Sequence, residues 1–481
     1  MQRNLSIALL LAAICFVFPG VRAADAGRRP NILFIQTDDQ GPWALGISGN
    51  RDAHTPNLDR LFSQGAYLRK AFVVTPVCSP SRASLLTSRY GTELGITDWI
   101  NPQTESQLGL SPDFITWPKL LEQAGYVNAL IGKWHLGTQD RFLPRYFGFQ
   151  YFMGFREGSS APKDPEFEIE GQLKRQSGFN GNLLTDDAIR FLRDHRQQSF
   201  CLLLNLREPH TPWMPMPDED TAPYQQLDPQ IPNPDYPHLD VARVKKFMRE
   251  YLADVTNIDR NVGRLLAALD ELKLSDNTVV IFTSDHGYNI GHHGILHKGN
   301  AQYIRTDIKQ NEPRNQRPNM FDTSLQTPTA VRWPGVIKPG TVVERTIANT
   351  DWFPTLLAMT GVKTPPGVTL RGRNFLPLLK GQRAKWNDDL YAEFSQHHYT
   401  TTHLRTYRTP QWKLVRDFLN SGKDELYHLS LDPDETKNLI DDPASQRIRK
   451  QLEAKLLARM RAINDPALKS GTSTRPSNGK E

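Results

Sequence analysis

Four short apolar runs occur along the chain, at residues 31–35, 127–131, 200–204 and 278–282, and each is followed by polar residues. Continuous apolar runs of this length predict strands that are buried on both faces of a sheet. The polar positions that follow the runs are Asp38 and Asp39, Lys133 and His135, Glu208 and His210, and Asp285 and His286.

Helical periodicity lies between these runs. It is clearest over residues 244–269, where apolar side chains recur every three or four positions. Strands that alternate with helices predict an α/β fold, with a large mixed, mainly parallel sheet sandwiched by helices. Ligands bind beyond the carboxyl ends of the strands in such sheets. The four polar clusters should therefore meet at one edge and form a site there.

A second pattern begins near residue 381. Short strand candidates at 390–394, 403–407, 412–415 and 425–429 precede a helical stretch at 438–462, which predicts a smaller C-terminal antiparallel sheet with one covering helix. We assign a catalytic domain to residues 24–380, a C-terminal subdomain to 381–466 and a disordered tail to 467–481. The proline-rich stretch at 209–237 is interpreted as an ordered loop at the mouth of the site, with an inert surface loop as the alternative.

The N-terminus has the pattern of a signal peptide over residues 1–23. It combines a basic start at Arg3, an apolar run at 7–18 and a Val-Arg-Ala cleavage site at 21–23. The run is too short to span a bilayer, and no other stretch approaches that length. The sequence therefore predicts an exported protein, periplasmic or secreted, without a transmembrane segment.

The composition is that of a soluble globular chain, with 38% hydrophobic and 23% charged residues and a formal net charge of +6. This mild excess is spread along the sequence, suits an anionic substrate and does not indicate a nucleic-acid partner. Removal of residues 1–23 would leave Cys78 and Cys201, too few for a disulfide framework. Cys201 lies in an apolar run and is expected to be a buried strand residue, whereas Cys78 is followed by polar residues.

The two acidic clusters predict a divalent cation. Asp38 and Asp39 taken alone are better explained by a helix N-cap or a turn. Asp285 and His286 follow a second strand of the same kind, so the two pairs together would place three carboxylates and an imidazole at one sheet edge. Hard divalent ions prefer oxygen ligands.

The segment Cys78-Ser79-Pro80-Ser81-Arg82 combines a thiol, a proline and a cation, and Leu-Thr-Ser-Arg at 86–89 follows it. Proline suits the first turn of a helix, so a helix is predicted from about Pro80, with residue 78 near its positive end and Arg82 directed toward the same region. Each remaining cation taken alone is commonly structural or solvent-facing. Around a metal and a nucleophile they would suit an anionic tetrahedral ester, because lysine and histidine bind its oxygens and histidine protonates a leaving group. These cations are Lys133, His135, His210 and Lys298.

The chain resembles the formylglycine sulfatases of the alkaline-phosphatase-like superfamily over nearly its whole length after the signal peptide. The resemblance rests on the Cys-x-Pro-Ser-Arg segment and the Leu-Thr-x-Arg echo after it. Further similar segments lie at residues 55–61, 132–137, 283–287, 297–300 and 425–439.

The resemblance implies a mechanism. A maturation enzyme would oxidise Cys78 to formylglycine, which is hydrated to a geminal diol. One hydroxyl, activated by the metal and Arg82, would attack sulfur, and His210 or His135 would protonate the leaving alcohol. The other hydroxyl would then lose its proton, sulfate would be expelled and the aldehyde would return.

The resemblance also implies ligands. Lys133 and Lys298 would bind the sulfate group. One divalent ion, expected to be Ca²⁺, would be held by Asp38, Asp39, Cys78, Asp285 and His286.

Two positions depart from the family pattern. His286 stands where many relatives have asparagine, and a nitrogen ligand is less typical of calcium. Ser88 stands where glycine is common in the Leu-Thr-Gly-Arg echo.

The expected substrate is a sulfated carbohydrate, because a long proline-rich loop and histidines near His397 and His398 suit a sugar better than a small aryl ester. Two alternatives stay open. One is a formylglycine phosphonate or phosphodiester hydrolase. The other is a non-catalytic protein that binds sulfated sugars, which would require Cys78 to remain unconverted.

Overall fold

The structure, a computed structural model, describes residues 29–309 and 312–470. The predicted signal peptide at residues 1–23 lies outside these ranges. Within them, no helix combines the length and apolar character needed to cross a membrane.

The strands of the described residues are β1 (Asn31–Thr37), β2 (Ala66–Leu68), β3 (Ala71–Phe72), β4 (Val127–Lys133), β5 (Tyr151–Phe155), β6 (Glu166–Ile169), β7 (Gln172–Arg175), β8 (Phe200–Asn205), β9 (Thr278–Ser284), β10 (Asn289–Ile290), β11 (Ile295–His297), β12 (Asn300–Tyr303), β13 (Gln316–Pro318), β14 (Ala330–Arg332), β15 (Thr341–Val343), β16 (Ile347–Ala348), β17 (Leu390–Gln396), β18 (Thr402–Arg408), β19 (Lys413–Asp417) and β20 (Glu425–Tyr427). The α-helices are α1 (Pro56–Ser63), α2 (Cys78–Thr87), α3 (Gly91–Leu94), α4 (Trp117–Gln123), α5 (Asn180–Asp194), α6 (Asp218–Thr221), α7 (Val241–Glu271), α8 (Asp322–Leu325), α9 (Trp352–Thr360), α10 (Leu376–Leu379), α11 (Gln446–Ala462) and α12 (Ala467–Ser470).

The large sheet has ten strands in the order β15-β2-β14-β9-β1-β8-β4-β5-β6-β7. Its centre consists of the four strands predicted from the apolar runs, β9, β1, β8 and β4, and neighbouring strands among them are parallel. Antiparallel pairs flank this centre, between β14 and β9 and between β5 and β6. The predicted mixed, mainly parallel sheet is confirmed. The polar residues that follow its central strands consequently emerge at one edge.

Helices cover both faces of this sheet. Successive side chains on β1 point to opposite faces, and each face packs against a different helix. Leu33 packs in one apolar cluster with Leu265 of α7. Phe34 packs on the other face, where its ring centroid lies 5.4 Å from that of Trp352 on α9. The sheet is therefore sandwiched between helices, as the sequence predicted.

The proline-rich stretch at 209–237 is anchored against the molecule. Trp213 and Tyr224 are 4% and 2% exposed and belong to an apolar cluster with residues of α7. His210 and Thr211, at the start of the stretch, line the cleft of the candidate site. This packing agrees with an ordered loop at the mouth of the site and not with an inert surface loop.

The C-terminal sheet is antiparallel and runs from β17 to β20, as predicted. Its covering helix α11 contributes Leu456 and Met460 to the shared apolar cluster. This helix was predicted from residue 438 but begins at Gln446, because the side chain of Asp442 caps a separate short turn before it.

The disordered tail was predicted to start at residue 467, and this start was wrong. Residues Ala467–Ser470 form α12, and Ala467 is 3% exposed within the apolar cluster of the C-terminal sheet. The Asp465 carboxylate accepts a hydrogen bond from the Ala467 N–H and fixes this turn. Residues 471–481 lie outside the described ranges, and the boundary at 380/381 stays a prediction.

We expect Asp465→Ala to destabilise the C-terminal subdomain. The Asp465 carboxylate accepts hydrogen bonds from Nη2 of the buried Arg405 and from the Tyr391 hydroxyl, both at 2.9 Å. Its loss leaves a buried guanidinium without its charge partner, which costs about 3 kcal/mol. Thermal unfolding should show a melting temperature several degrees lower, whereas the exposed control Asp441→Ala should leave it unchanged. Equal melting temperatures for the two variants would contradict the prediction.

Candidate active site

The carboxyl edge of the central sheet brings the predicted site residues together from separate parts of the chain. Some of these residues follow β1, β8 and β9 or lie at the end of β4. The others come from the first turn of α2 and from the turn between β11 and β12. Together they are Asp38, Asp39, Cys78, Arg82, Lys133, His135, His210, Asp285, His286 and Lys298.

Cys78 is the first residue of α2, which therefore begins earlier than the predicted start at Pro80. Proline fits this first turn because its missing N–H has no partner within a helix there. The Cys78 side chain is 2% exposed, with Sγ 3.1 Å from Lys298 Nζ and 3.4 Å from His286 Nε2. Burial raises the pKa of the Cys78 thiol, but Lys133, Lys298 and His286 outweigh it and hold that pKa well below its ordinary value. Position 78 therefore favours a negatively charged group.

Candidate metal ligands surround this position. Ligand atoms of Asp38, Asp39, Cys78 and His286 all lie within 4.8 Å of one another. Asp285 adjoins them, because its Oδ1 is 3.3 Å from His286 Nε2 and accepts a hydrogen bond from the Asp39 N–H at 3.2 Å. His286 Nδ1 lies 3.0 Å from the Gly287 carbonyl oxygen, so Nε2 is the nitrogen that faces the carboxylates.

The three carboxylates are buried together and need positive charge. Burial raises the pKa of Asp39 to about 7, although Lys298 and His286 oppose the shift. Burial and then Asp38 raise the pKa of Asp285. Burial acts on Asp38 as well, but Lys133 Nζ, 2.5 Å from its Oδ2, brings the pKa of Asp38 below its ordinary value. Three buried carboxylates with an imidazole nitrogen are a donor set that fits a divalent cation.

Arg82 forms ion pairs with two of these carboxylates. Its Nε and Nη2 lie 3.0 and 2.9 Å from Asp285 Oδ2, and Nη2 is 3.9 Å from Asp38 Oδ1. Lys298 Nζ lies 2.5 Å from Asp39 Oδ1. Arg82 therefore fixes the orientation of two predicted metal ligands, whereas Lys298 reaches both a carboxylate and residue 78.

His135 and His210 present different nitrogens to the site. His135 Nε2 lies 3.1 Å from the Ile100 carbonyl oxygen and so carries its proton, while Nδ1 is buried without a hydrogen-bond partner among the described residues. Burial and then Lys133 lower the pKa of His135. His210 Nδ1 lies 2.7 Å from the Thr211 carbonyl oxygen, so its Nε2 faces the site, 3.9 Å from Asp39 Oδ2. Burial also holds the pKa of His210 well below its ordinary value, although Asp38 opposes the shift.

A cleft of about 500 Å³ opens beside these groups, and Asp39, Cys78, Lys298 and both histidines line it. Sequence reasoning missed part of its wall, because those residues lie in distant loops and one short strand that carry no recognisable pattern. The additional lining residues include Trp99, Gln103, Glu157, Gln302 and Tyr399.

Tertiary contacts explain two serines near Cys78. Ser81 Oγ donates to the Asp285 carbonyl oxygen, and the Asn349 amide donates to the Ser81 carbonyl oxygen at 3.1 Å. Ser88 ends α2 in the left-handed region at φ 56°, which explains why glycine is common there. The Ser88 hydroxyl donates to the Thr350 carbonyl oxygen at 2.8 Å and accepts from the Gly372 N–H at 2.9 Å, which stabilises this conformation.

The mixed, mainly parallel sheet, the carboxylate cluster at its carboxyl edge and the buried cysteine at a helix N-terminus fit the hydrolase of the alkaline-phosphatase-like superfamily that the sequence resemblance implied. The chain belongs to the sulfatase family, whose sequence profile matches residues 30–362. A second profile, described as N-sulphoglucosamine sulphohydrolase, C-terminal, matches residues 315–462.

Characterised relatives extend over nearly the whole chain. The N-acetylglucosamine-6-O-sulfatase of Bacteroides thetaiotaomicron is 26% identical, over 94% of this chain and 90% of that protein. The ulvan-active sulfatase of Formosa agariphila is 28% identical, over 92% of this chain and 84% of that protein. A solved structure in complex with its substrate D-glucosamine-2-N,6-O-disulfate is similar with a TM-score of 0.79 and 25% identity, over 92% of this chain and 99% of that chain. The protein is thus a sulfatase, a hydrolase of sulfuric esters, as the sequence predicted.

Proposed function

We propose that the protein releases sulfate from a sulfated carbohydrate, with Cys78 in its formylglycine form and one bound Ca²⁺ ion. The observation that carries this proposal is the position of Cys78, which is buried at the start of α2 among carboxylates and cations and still lines the cleft. The named relatives that act on sugar sulfates or on ulvan support the choice of carbohydrate.

Two groups supply chemistry that the unmodified chain lacks. Formylglycine, when hydrated, provides a hydroxyl nucleophile at position 78. A divalent cation held by Asp38, Asp39, Asp285 and His286 would provide positive charge that stabilises the ionised hydroxyl and the sulfate oxygens.

Lysine side chains bind the sulfate group in this proposal. Lys133 Nζ and Lys298 Nζ each lie 2.5 Å from a carboxylate oxygen, on Asp38 and Asp39 respectively. A cation between the carboxylates would neutralise their charge in place of the lysines. Both ammonium groups would then be available to the sulfate oxygens. Lys298 Nζ lies 3.1 Å from Cys78 Sγ, in direct contact with the reacting position.

The two histidines move protons at opposite ends of the ester. With its proton on Nε2, His135 offers Nδ1 as an acceptor, which suits removal of a proton from the residue 78 side chain. His210 lines the cleft and is 20% exposed, which supports a role for its Nε2 in protonating the leaving oxygen of the alcohol. The negative charge of a bound sulfate ester favours the imidazolium form that this step needs.

A substrate screen tests the proposed function. Enzyme purified from a host that converts the cysteine would be incubated with defined sulfated saccharides, and released sulfate would be measured by ion chromatography. Phosphonate and phosphodiester substrates would be run in parallel. Faster hydrolysis of a sugar sulfate supports the proposal. Higher rates on the phosphorus esters would favour the first alternative, and a fully converted enzyme without turnover would contradict both hydrolase assignments.

We expect His210→Ala to discriminate between leaving groups. General acid catalysis contributes about a hundredfold to ten-thousandfold, and sugar alcohols need it because they are poor leaving groups. The variant should lose about that much of kcat on a sugar sulfate, but less than about tenfold on 4-nitrophenyl sulfate, whose leaving group needs little protonation.

The matched control is His297→Ala. His297 also lines the cleft, but its Nδ1 lies 3.0 Å from the Tyr288 hydroxyl. This control should change both rates by a similar factor. Equal losses on both substrates in His210→Ala would assign the acid role to another residue and leave His210 as a sulfate ligand.

A further inference from the structure

An aromatic wall, which consists of Trp99 and Tyr399 with His398 packed against Trp99, borders the cleft. The ring centroids of Trp99 and His398 are 4.4 Å apart, and the rings of Trp99 and Tyr399 stack at 6.3 Å with an interplanar angle of 27°. Trp99 and Tyr399 line the same cleft as Cys78 and Lys298. Trp99 follows α3 and Tyr399 lies in the turn between β17 and β18, so the C-terminal sheet supplies part of the wall.

Core packing does not explain the position of Tyr399. Its side chain is 66% exposed, which leaves little apolar burial to stabilise the fold. Its φ of 63° lies in the left-handed region, which is unfavourable for a bulky residue. Strained positions of this kind persist where the surroundings enforce them and are concentrated at binding sites.

Two carboxylates enforce this conformation. Asp98 Oδ2 accepts hydrogen bonds from the N–H groups of His397 at 3.0 Å and His398 at 3.2 Å. The Glu105 carboxylate lies 2.7 Å from His397 Nε2 and 3.1 Å from His398 Nε2. The turn that carries Tyr399 is therefore tied to the loop that carries Trp99, and the two rings are held in place before any ligand arrives.

Hydrogen bonds rather than a metal account for this pair of histidines. Asp98, His397 and His398 are close enough to hold an ion. However, Asp98 already accepts three backbone N–H groups, and His398 Nε2 lies 3.0 Å from the Trp99 carbonyl oxygen, to which it donates. These contacts orient the aromatic wall and, among the described residues, leave no free set of metal ligands here.

We propose that Trp99 and Tyr399 form a stacking subsite for the pyranose ring of the substrate, an inference that rests on the proposed function. A pyranose ring has an apolar face of C–H groups and a rim of hydroxyls. The apolar face of the sugar can stack on the exposed face of the wall. Its hydroxyls can form hydrogen bonds with polar side chains elsewhere in the cleft. These polar residues are Gln103, Glu157 and Gln302.

The subsite should act on substrate binding and leave the chemical step unchanged. Trp99→Ala and Tyr399→Ala would be assayed in full-length, converted enzyme with N-acetylglucosamine-6-sulfate or N-acetylgalactosamine-6-sulfate, whichever the unaltered enzyme hydrolyses faster. We expect KM to rise about tenfold in each variant with kcat within about threefold. The inhibition constant of inorganic sulfate should stay unchanged, because sulfate contacts the cations and not the wall.

Two controls separate stacking from structural damage. Tyr399→Phe retains the ring and should retain the KM. Tyr146→Ala removes another exposed aromatic residue, 43% exposed and outside the cleft lining, and should change neither constant. An unchanged KM in both alanine variants at the cleft would overturn the subsite, as would a parallel rise in the inhibition constant of sulfate.

A binding measurement keeps this test separate from the proposed function. If the unaltered enzyme hydrolyses neither sugar sulfate, calorimetric titration of both sugars into Cys78→Ala, with and without Tyr399→Ala, decides the matter. Binding that weakens about tenfold on loss of Tyr399 supports the subsite although the proposed activity has failed. Binding that is absent or indifferent to Tyr399 overturns it.

Discussion

Cys78→Ala is expected to abolish sulfate ester hydrolysis, with a loss of at least about ten-thousandfold, because alanine cannot be oxidised to formylglycine, whose hydrate carries the nucleophilic hydroxyl. The fold should persist. The first turn of α2 keeps Ser81, bonded to the Asp285 carbonyl oxygen, and Arg82, paired with the Asp285 carboxylate. Rates on a sugar sulfate and thermal unfolding of the same preparation measure the two effects.

Cys201→Ala is the matched control for this variant. Cys201 is fully buried in β8, and burial alone raises the pKa of its thiol well above the ordinary value, as expected for an unreactive core cysteine. Its replacement should cost some stability and leave kcat intact. Mass spectrometry of the tryptic peptide that contains residue 78 should show an aldehyde in active enzyme. An active sample with only free cysteine at that position would disprove the mechanism.

The second large effect is expected from Asp38→Asn, which should weaken Ca²⁺ binding and lower activity together, each by about a hundredfold or more. The substitution keeps the shape of the side chain but removes one of three negative charges that face the proposed ion. It also leaves Lys133 Nζ without the carboxylate that lies 2.5 Å away. Calorimetric titration of Ca²⁺ into metal-stripped protein measures the affinity independently of turnover.

Asp254→Asn provides the control for removal of a buried carboxylate. Asp254 is fully buried, and neither carboxylate oxygen has a hydrogen-bond partner among the described residues. We expect its replacement to leave Ca²⁺ affinity unchanged. Full activity of the unaltered enzyme after chelation would contradict the metal requirement. If another divalent ion but not Ca²⁺ restored activity, the ion would be reassigned. The imidazole nitrogen of His286 makes this test relevant, because nitrogen ligands are less typical of calcium.

Much of the site was predictable because it depends on strand ends. Asp38, Lys133, His210 and Asp285 each follow or end an apolar run, and parallel pairing must bring such positions to one edge. A helix near Cys78 was predictable for a different reason, since proline suits a first helical turn, although α2 begins two residues before Pro80. Neither inference required knowledge of how distant loops are arranged.

Other features of the site depend on contacts that no local pattern encodes. Arg82 was expected to assist the nucleophile, and the structure places its guanidinium against Asp285 and Asp38. Asn349 supports Ser81 from a segment that carries no motif. Trp99 follows α3, whereas Tyr399 lies in the turn between β17 and β18, so their stacking follows only from the way the C-terminal sheet packs near α3.

The sequence by itself determined the alternation of strands and helices, the buried centre of the sheet and the edge at which charged residues collect. It could do so because apolar periodicity and chain connectivity act locally along the chain. The tertiary structure alone decided which nitrogen of each histidine faces the cleft, how Ser88 satisfies a left-handed turn, and which aromatic rings border residue 78. Those outcomes arise from hydrogen bonds and packing between segments far apart in the chain, whose geometry is fixed only when the whole domain is assembled.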